Sequence, residues 1–326
     1  MYGGFNQIGR TGLLRISAAV NQAITAIRPK AALLAPKYLI LSLNYRVSHW
    51  RNVASSSRKD PNITSKDIRD FVIPLPKPRE QEIIAATFSD TDALIKSLEQ
   101  LTAKKRRLKQ GTAQELLAGK RRLPGFTREW KTLGLGELGT WKGGMTPSMR
   151  DLTFWDGGEI PWISSGDVKS TILTKTASLI TTAAVKQGKT TLLPPRCIVI
   201  VTRSGILRRY LPVAMTIPAM AINQDIKALI PSSDHDPAYL LQMLNGVGGR
   251  ILATCLKSGT TVESIEFSWL KRFAVLLPER AEQTAIANIL SDMDAEISAL
   301  EAKLAKARQI KQGMMQNLLT GRIRLV

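Results

Sequence analysis

The sequence predicts an α+β fold in which globular domains of mixed strand and helix are separated by two long helices forming an antiparallel coiled coil. Three observations carry this. Residues 79–124 and 280–326 repeat one another without a gap at an offset of 202: Ser89-Asp90 meets Ser291-Asp292, Lys109-Gln110-Gly111 meets Lys311-Gln312-Gly313, and Leu116-Leu117 meets Leu318-Leu319. A repeat of this length is one structural unit used twice. Each copy opens beside a proline (Pro78, Pro278), runs as a helix without an internal proline, and closes that helix at Leu-Leu-x-Gly, a helix stop. Between and before the copies lie short apolar runs punctuated by turn residues, the pattern of strands.

Taken in chain order, the first stretch belongs to the same repeat. Asn21-Gln22 aligns with Asn223-Gln224, Ile24 with Ile226, Pro29 with Pro231, Phe71 with Phe273 and Pro76 with Pro278, while Pro36-x-Tyr38-Leu39 matches Pro237-x-Tyr239-Leu240 after a one-residue slip. Residues 1–77 therefore read as the second half of a domain that is complete at 120–278, and the counterpart of 127–202 is missing ahead of them. A half-domain exposes strand edges and apolar surface that its other half covers. The expectation is that the first domain is shortened or that another polypeptide supplies the rest.

Residues 78–119 form the first long helix. Ile84, Phe88, Ile95, Leu98 and Leu116 keep an apolar seam that Lys105 and Lys109 interrupt. Residues 279–326 hold the second, where Ile286, Leu290, Met293, Ile297, Leu300, Leu304, Ala307, Met314 and Leu318 step by threes and fours, a coiled-coil seam. A helix of about 40 residues is roughly 60 Å long. Two copies in one chain favour an intramolecular antiparallel pair. Gly111 and Gly313 each weaken an isolated helix by about 1 kcal/mol, which points to a close approach of another backbone there.

Within 120–278, strands are expected at 160–163, 197–202, 220–230 and 273–277, and Asp236 caps a helix with Pro237 at its first position. Trp162 and Trp269 are expected in the core.

The net charge is +20 and the isoelectric point about 10.2. The excess is spread over the two globular stretches and the first helix rather than gathered in a tail, which suits a polyanionic partner. Cys197 and Cys255, far apart in apolar surroundings, make neither a disulfide framework nor a metal pair, so a reducing cytoplasm is the default. No apolar run is long enough to span a membrane.

Catalytic motifs find little support. Gly188-Lys189-Thr190 ends like a P-loop, but Ala183 stands where the first glycine belongs. Glu129-Trp130-Lys131 has a nuclease-like E-x-K form without a suitably placed upstream acid. Asp90, Asp92, Asp292 and Asp294 sit on long helices, where docking or solvation is their expected role. His49 and His235 are the only histidines, too few for a metal cluster.

The domain at 120–278 opens with Trp130-Lys131, continues with Gly143-Gly144-Met145-Thr146-Pro147-Ser148, and carries Trp155-Asp156-Gly157-Gly158-Glu159-Ile160-Pro161-Trp162. Thr202-Arg203-Ser204-Gly205, Ala221-Ile222-Asn223-Gln224 and Pro278-x-x-x-Glu282-Gln283 complete the set. In order, spacing and duplication these resemble the specificity subunit of type I restriction–modification enzymes, over the whole chain. The resemblance implies a sequence-specific DNA-binding subunit in which each target recognition domain reads half of a split double-stranded site and the helices set the spacer. It implies partners as well: modification subunits that hold S-adenosylmethionine and methylate adenine, and a restriction subunit that uses ATP and Mg to translocate and cut. No cofactor is expected on this chain, which is read as non-catalytic. For the half-domain, self-association or a complementing fragment is the expected remedy. Two rival readings are a coiled-coil scaffold with protein-binding domains and a stand-alone DNA-modifying enzyme.

The candidate DNA contacts are polar and basic residues in loop-like stretches: Lys142, Thr146 and Ser148 beside Gly143-Gly144, where a phosphate could approach the backbone; Arg203, Arg208 and Arg209 around Gly205; and Lys257 with Thr260. Asn223 and Gln224 suit either adenine reading or a structural bond. In the first segment Arg10, Arg15 and Arg51, with Arg46, His49, Arg58 and Lys59, supply charge for phosphates.

Overall fold

Absence of internal proline and a three–four apolar step produce two unbroken helices, α4 (Pro78–Leu117) and α8 (Arg280–Leu318). The computed structural model describes residues 8–21, 24–55, 63–257 and 262–325. The chain divides into two units, Met1–Lys104 with Ile297–Val326, and Lys105–Glu296. No described helix is long and apolar enough to cross a membrane.

The first unit contains α1 (Pro36–Tyr45), α2 (Val47–Ser55) and α3 (Ser65–Arg69) beside its portions of the long helices. Its core is Tyr38, Ile84, Phe88, Leu318 and Leu319. Arg308 reaches Glu99 at 2.6 Å and Lys311 reaches Asp92 at 2.6 Å, so the helices run antiparallel here. The long helix pair is coiled as its seam predicts. Ile286, Leu290, Ile297, Ala307 and Leu318 are buried, and Met293, Leu300, Leu304 and Met314 are half-buried among exposed neighbours.

In the second unit the two lysines that interrupt the seam turn out to be half-buried and answered by acids: Lys105 lies 2.6 Å from Glu296 and Lys109 2.6 Å from Asp294. Partly exposed pairs of this kind contribute about 0–1 kcal/mol each, less than the roughly 1.5–3 kcal/mol of one buried Leu or Ile. The apolar seam therefore holds the helices, and the charges fix direction and register. The glycine expectation fails: a Cβ at Gly111 or Gly313 meets nothing within 4 Å, so neither marks a close backbone approach.

The rest of the second unit is strand-rich. One sheet has the order β2 (Gly139–Gly143), β10 (Ile226–Pro231), β7 (Ile198–Val201), β8 (Val213–Thr216), β4 (Ile172–Leu173). Another has β5 (Ser178–Ile180), β3 (Ile160–Ile163), β9 (Met220–Ile222), β6 (Thr191–Leu193). Two pairs complete it, β1 (Lys131–Gly134) with β13 (Ala274–Leu277) and β11 (Leu256–Lys257) with β12 (Ser264–Ile265). The helices are α5 (Thr182–Lys186), α6 (Pro237–Cys255) and α7 (Phe267–Arg272). All four residues of β7 are buried, as its unbroken Ile-Val-Ile-Val run requires of a central strand. The stretch 220–230 is two strands rather than one. Asn223 Oδ1 accepts from the Asp225 N–H at 3.1 Å, and this local turn carries the chain from one sheet to the other. Asp236 caps α6 through the N–H groups of Ala238 and Tyr239. Trp162 is buried, but Trp269 is 43% exposed, with Lys257 Nζ 5.9 Å from its ring centre. It lies on the first turns of the short α7, whose buried residue is Leu270.

The two units share details that the repeat predicts. Gln81 Oε1 accepts from Ala35 N at 2.7 Å while its Nε2 donates to Pro76 O; Gln283 Oε1 accepts from Asp236 N at 2.9 Å while its Nε2 donates to Pro278 O. The core of Tyr38, Ile84, Phe88 and Leu318 has its match in Tyr239, Ile286, Leu290 and Leu116. Glu80 is clasped by Arg324, and Glu282 by Arg122, each carboxylate nearly inaccessible and each arginine lying just past the end of the opposite long helix.

Candidate nucleic-acid interface

The antiparallel register fixes where the loops of the second unit go. Ile226 pairs with Val201, Lys227 with Gly143, and Ile200 with Val213, so β2 and β7 finish at the end of the sheet where β8 and β10 begin. That end collects four separate stretches. Residues 142–148 take in the last two residues of β2 and the loop after it, 202–209 follow β7, and 223–225 precede β10. The fourth is the β11–β12 pair, tied in by the Arg203–Ser264 bridge and by Ile265 N donating to Thr202 O at 2.7 Å.

The sequence candidates Lys142, Thr146, Ser148, Arg203, Arg208, Arg209, Gln224 and Lys257 all lie on these stretches and all are exposed. Thr146 Oγ1 donates to Gln224 Oε1 at 2.6 Å, joining two of them directly. The loop that bears Thr146 and Ser148 is pinned by two indoles, Trp162 Nε1 donating to Met145 O at 3.3 Å and Trp155 Nε1 to Ser148 O at 3.0 Å. The two tryptophans meet edge to face at 5.3 Å, within the favourable range. The tryptophan-bearing motif thus serves to hold a polar loop at the sheet end.

Electrostatics sort the basic residues. Arg208 donates through Nε to Glu263 yet its side chain stays 68% exposed, and its guanidinium holds the Glu263 carboxyl below the usual range. Lys257 does the same for Glu266. Arg203 and Arg209 have no carboxylate partner among the described residues, which leaves their guanidinium donors for an anion or a base edge. Thr260 lies outside the described residues.

The structure adds detail to three expectations. A Cβ at Gly144 would fall 2.0 Å from Ile222 O, so this glycine is needed for a close backbone approach, while Gly143 is exposed beside Lys227 Nζ, 2.9 Å from where its Cβ would stand. Gly144 lets the end of β2 pass against the turn before β10. Asn223 is 6% exposed and spent on that turn, a structural role, whereas Gln224 faces outward. In the first unit His49 packs on Trp50 and Phe71, and the guanidinium of Arg46 lies 5.6 Å from the Phe71 ring centre, where it keeps its charge; both residues are exposed. Arg10 and Arg15 are exposed on extended chain and Arg51 is exposed on α2; Arg58 and Lys59 lie outside the described residues. Lys227 and Tyr210 also reach this sheet end and escaped the sequence reading. For Lys227, the alternation Ile226-Lys227-Ala228 was the available signal.

The description "Type I restriction modification DNA specificity domain" matches residues 5–106 and 127–310. The chain is similar to the type I restriction enzyme EcoR124I/EcoR124II specificity subunit of Escherichia coli, 38% identical over 184 residues, which cover 56% of this chain and 45% of that protein. It is also similar to the MjaIX specificity subunit of Methanocaldococcus jannaschii, 26% identical over 170 residues, covering 51% of this chain and 38% of that one. The chain thus spans less than half the length of these curated relatives. Its fold is that of the solved S subunit of the type I restriction-modification system from M. genitalium, with a TM-score of 0.59 at 15% identity over 89% of this chain and 74% of that one. By a match that takes in both copies of its repeat, the chain belongs to the type I restriction modification DNA specificity domain family.

Proposed function

We propose that this chain is a DNA-specificity subunit: it binds double-stranded DNA sequence-specifically and directs methylation and restriction that partner subunits carry out. The observation that carries the reading is the convergence at one sheet end of Lys142, Thr146, Ser148, Arg203, Arg208, Arg209, Gln224 and Lys257, drawn from four separated stretches of a family-matched domain. Arginine forks and an outward glutamine are the groups that read base edges in the major groove, and the spread charge suits phosphates. Residues 120–278 act as the recognition domain, 1–77 as part of another, and 78–119 with 279–326 as the spacer and dock. Thr260, Arg10, Arg15 and Arg51 are assigned to phosphate contact. Methyl transfer, with S-adenosylmethionine, and ATP- and Mg-dependent cleavage belong to modification and restriction subunits, in the cytoplasm.

Titration of the chain, assembled with its modification subunits, against DNA at several salt concentrations tests this. Arg203→Ala and Arg209→Ala each weaken binding by about 1–3 kcal/mol where the lost contact is to a base, with relaxed specificity. If the contact is to phosphate, the slope of log K against log salt falls by about 1. Binding that is indifferent to salt and to both substitutions contradicts the reading.

A further inference from the structure

Among the described residues three carboxylates are buried, Glu80, Glu263 and Glu282, and each holds an arginine. One does so differently. Glu282 takes Nε and a terminal nitrogen of Arg122, at 2.7 and 2.8 Å, and Glu80 takes the same edge of Arg324. In both, a two-donor edge of the guanidinium is spent on the clasp. Glu263 takes Nε of Arg208 alone, and the two terminal nitrogens have no partner among the described residues. The Glu263 side chain is 12% exposed beside 68% for Arg208, so the carboxylate lies beneath and the outer edge of the guanidinium faces solvent. Both residues are anchored. Arg208 ends the 3-10 turn Gly205–Arg208, whose Leu207 is buried, and Ser204 N at the cap of that turn donates to Glu263 O at 3.1 Å. The next residue, Ser264, bridges Arg203. Glu263 Oε2 is buried with no hydrogen-bond partner among the described residues. A buried carboxylate oxygen left without a donor calls for an explanation, and Arg208 is the sole side chain that Glu263 serves among them.

We propose, resting on the DNA-reading role above, that Glu263 is a positioning residue: it holds Arg208 by Nε so that the two terminal nitrogens stand ready as a fork for O6 and N7 of a guanine. That edge offers two parallel donors, and guanine is the base that shows two adjacent acceptors in the major groove. An arginine already held in place gives up less side-chain freedom on binding than a free one. The carboxylate has a second effect. It sets a negative charge among Arg203, Arg209 and Lys142, which disfavours loose attachment to phosphates and so trades general affinity for discrimination. The neighbouring Lys257–Glu266 pair lacks this property, because an ammonium is a point charge with no planar fork to aim.

The test measures binding by the chain, assembled with its modification subunits, to three kinds of duplex. One carries the motif that methylome sequencing defines, a set replaces each G·C pair of that motif in turn, and one of equal length lacks the motif. Arg208→Ala is expected to erase a preference of about 5- to 150-fold at one G·C position. Glu263→Gln is expected to lose about 2- to 10-fold of the preference at that same position, while binding the motif-free duplex more tightly. In the Arg208→Ala background Glu263→Gln has no further effect on preference. The proposal is overturned if Glu263→Gln leaves that preference intact, acts equally when Arg208 is absent, or weakens binding to every duplex alike, as a structural lesion does. It is also overturned if Arg208→Ala relaxes no position, or one that is not G·C. If Arg203→Ala and Arg209→Ala still weaken binding in those cases, DNA reading at this sheet end stands and the role of Glu263 alone falls; absence of any motif removes both.

Discussion

At the scale of single residues, the repeat sets up a controlled comparison between two buried tyrosines. Tyr38 Oη donates to Pro74 O at 2.8 Å, whereas Tyr239 Oη is buried with no hydrogen-bond partner among the described residues, and burial pushes its phenol pKa well up. Removing a satisfied hydroxyl leaves an acceptor unpaired, while removing an orphaned one relieves a desolvation cost of about 1–3 kcal/mol. Tyr38→Phe is expected to lose about 1 kcal/mol in urea denaturation, and Tyr239→Phe to be neutral or stabilising. Equal losses at both sites contradict this.

Glu80 gives a second test at the same scale. The Arg324 guanidinium bonded to it holds its carboxyl below the usual carboxylate range. A carboxylate whose pKa is depressed by folding stabilises the fold above its unfolded pKa and loses that contribution as pH falls through the folded one. Stability is therefore expected to drop as pH falls below about 4.3, the ordinary glutamate value, and Glu80→Gln should make the drop shallower. An unchanged acid profile in the variant places the acid sensitivity elsewhere.

At the scale of elements, the long helices were the most legible part of the sequence, because a seam repeated every three and four residues has few other realisations. The clasps at their ends were equally available: the offset that aligns Gln81 with Gln283 also aligns Glu80 with Glu282 and Arg122 with Arg324. What sequence could not give was the meaning of the internal glycines, since glycine serves close packing and mere tolerance alike. With open space around Gly111 and Gly313, Gly111→Ala and Gly313→Ala are each expected to stabilise the chain by about 0.5–1 kcal/mol, read as a raised melting temperature. A loss would mean that a partner's backbone passes there in the assembly.

At the scale of the whole molecule, the repeat makes the kinship of residues 1–77 with 203–278 readable from the amino-acid sequence, whereas strand order is not. Residues 220–230 read as one apolar run, and only the Asn223–Asp225 turn shows that the run serves two sheets. The candidate site was legible as separate stretches: Arg203, Gln224 and Thr146 are far apart in sequence, and antiparallel pairing is what gathers them. Which glycines guard a close backbone approach and which face open space is likewise a tertiary fact: Gly144 is pressed on Ile222 O, whereas Gly111 and Gly313 meet nothing.

The most direct measurement is methylome sequencing of a host expressing this chain with a cognate modification subunit, beside the same host carrying the Arg203→Ala, Arg209→Ala variant. A specific adenine-methylated motif that appears with the chain and is lost or relaxed with the variant is the predicted result. A stable complex that leaves no motif, or a motif untouched by the double substitution, contradicts specific reading at this sheet end.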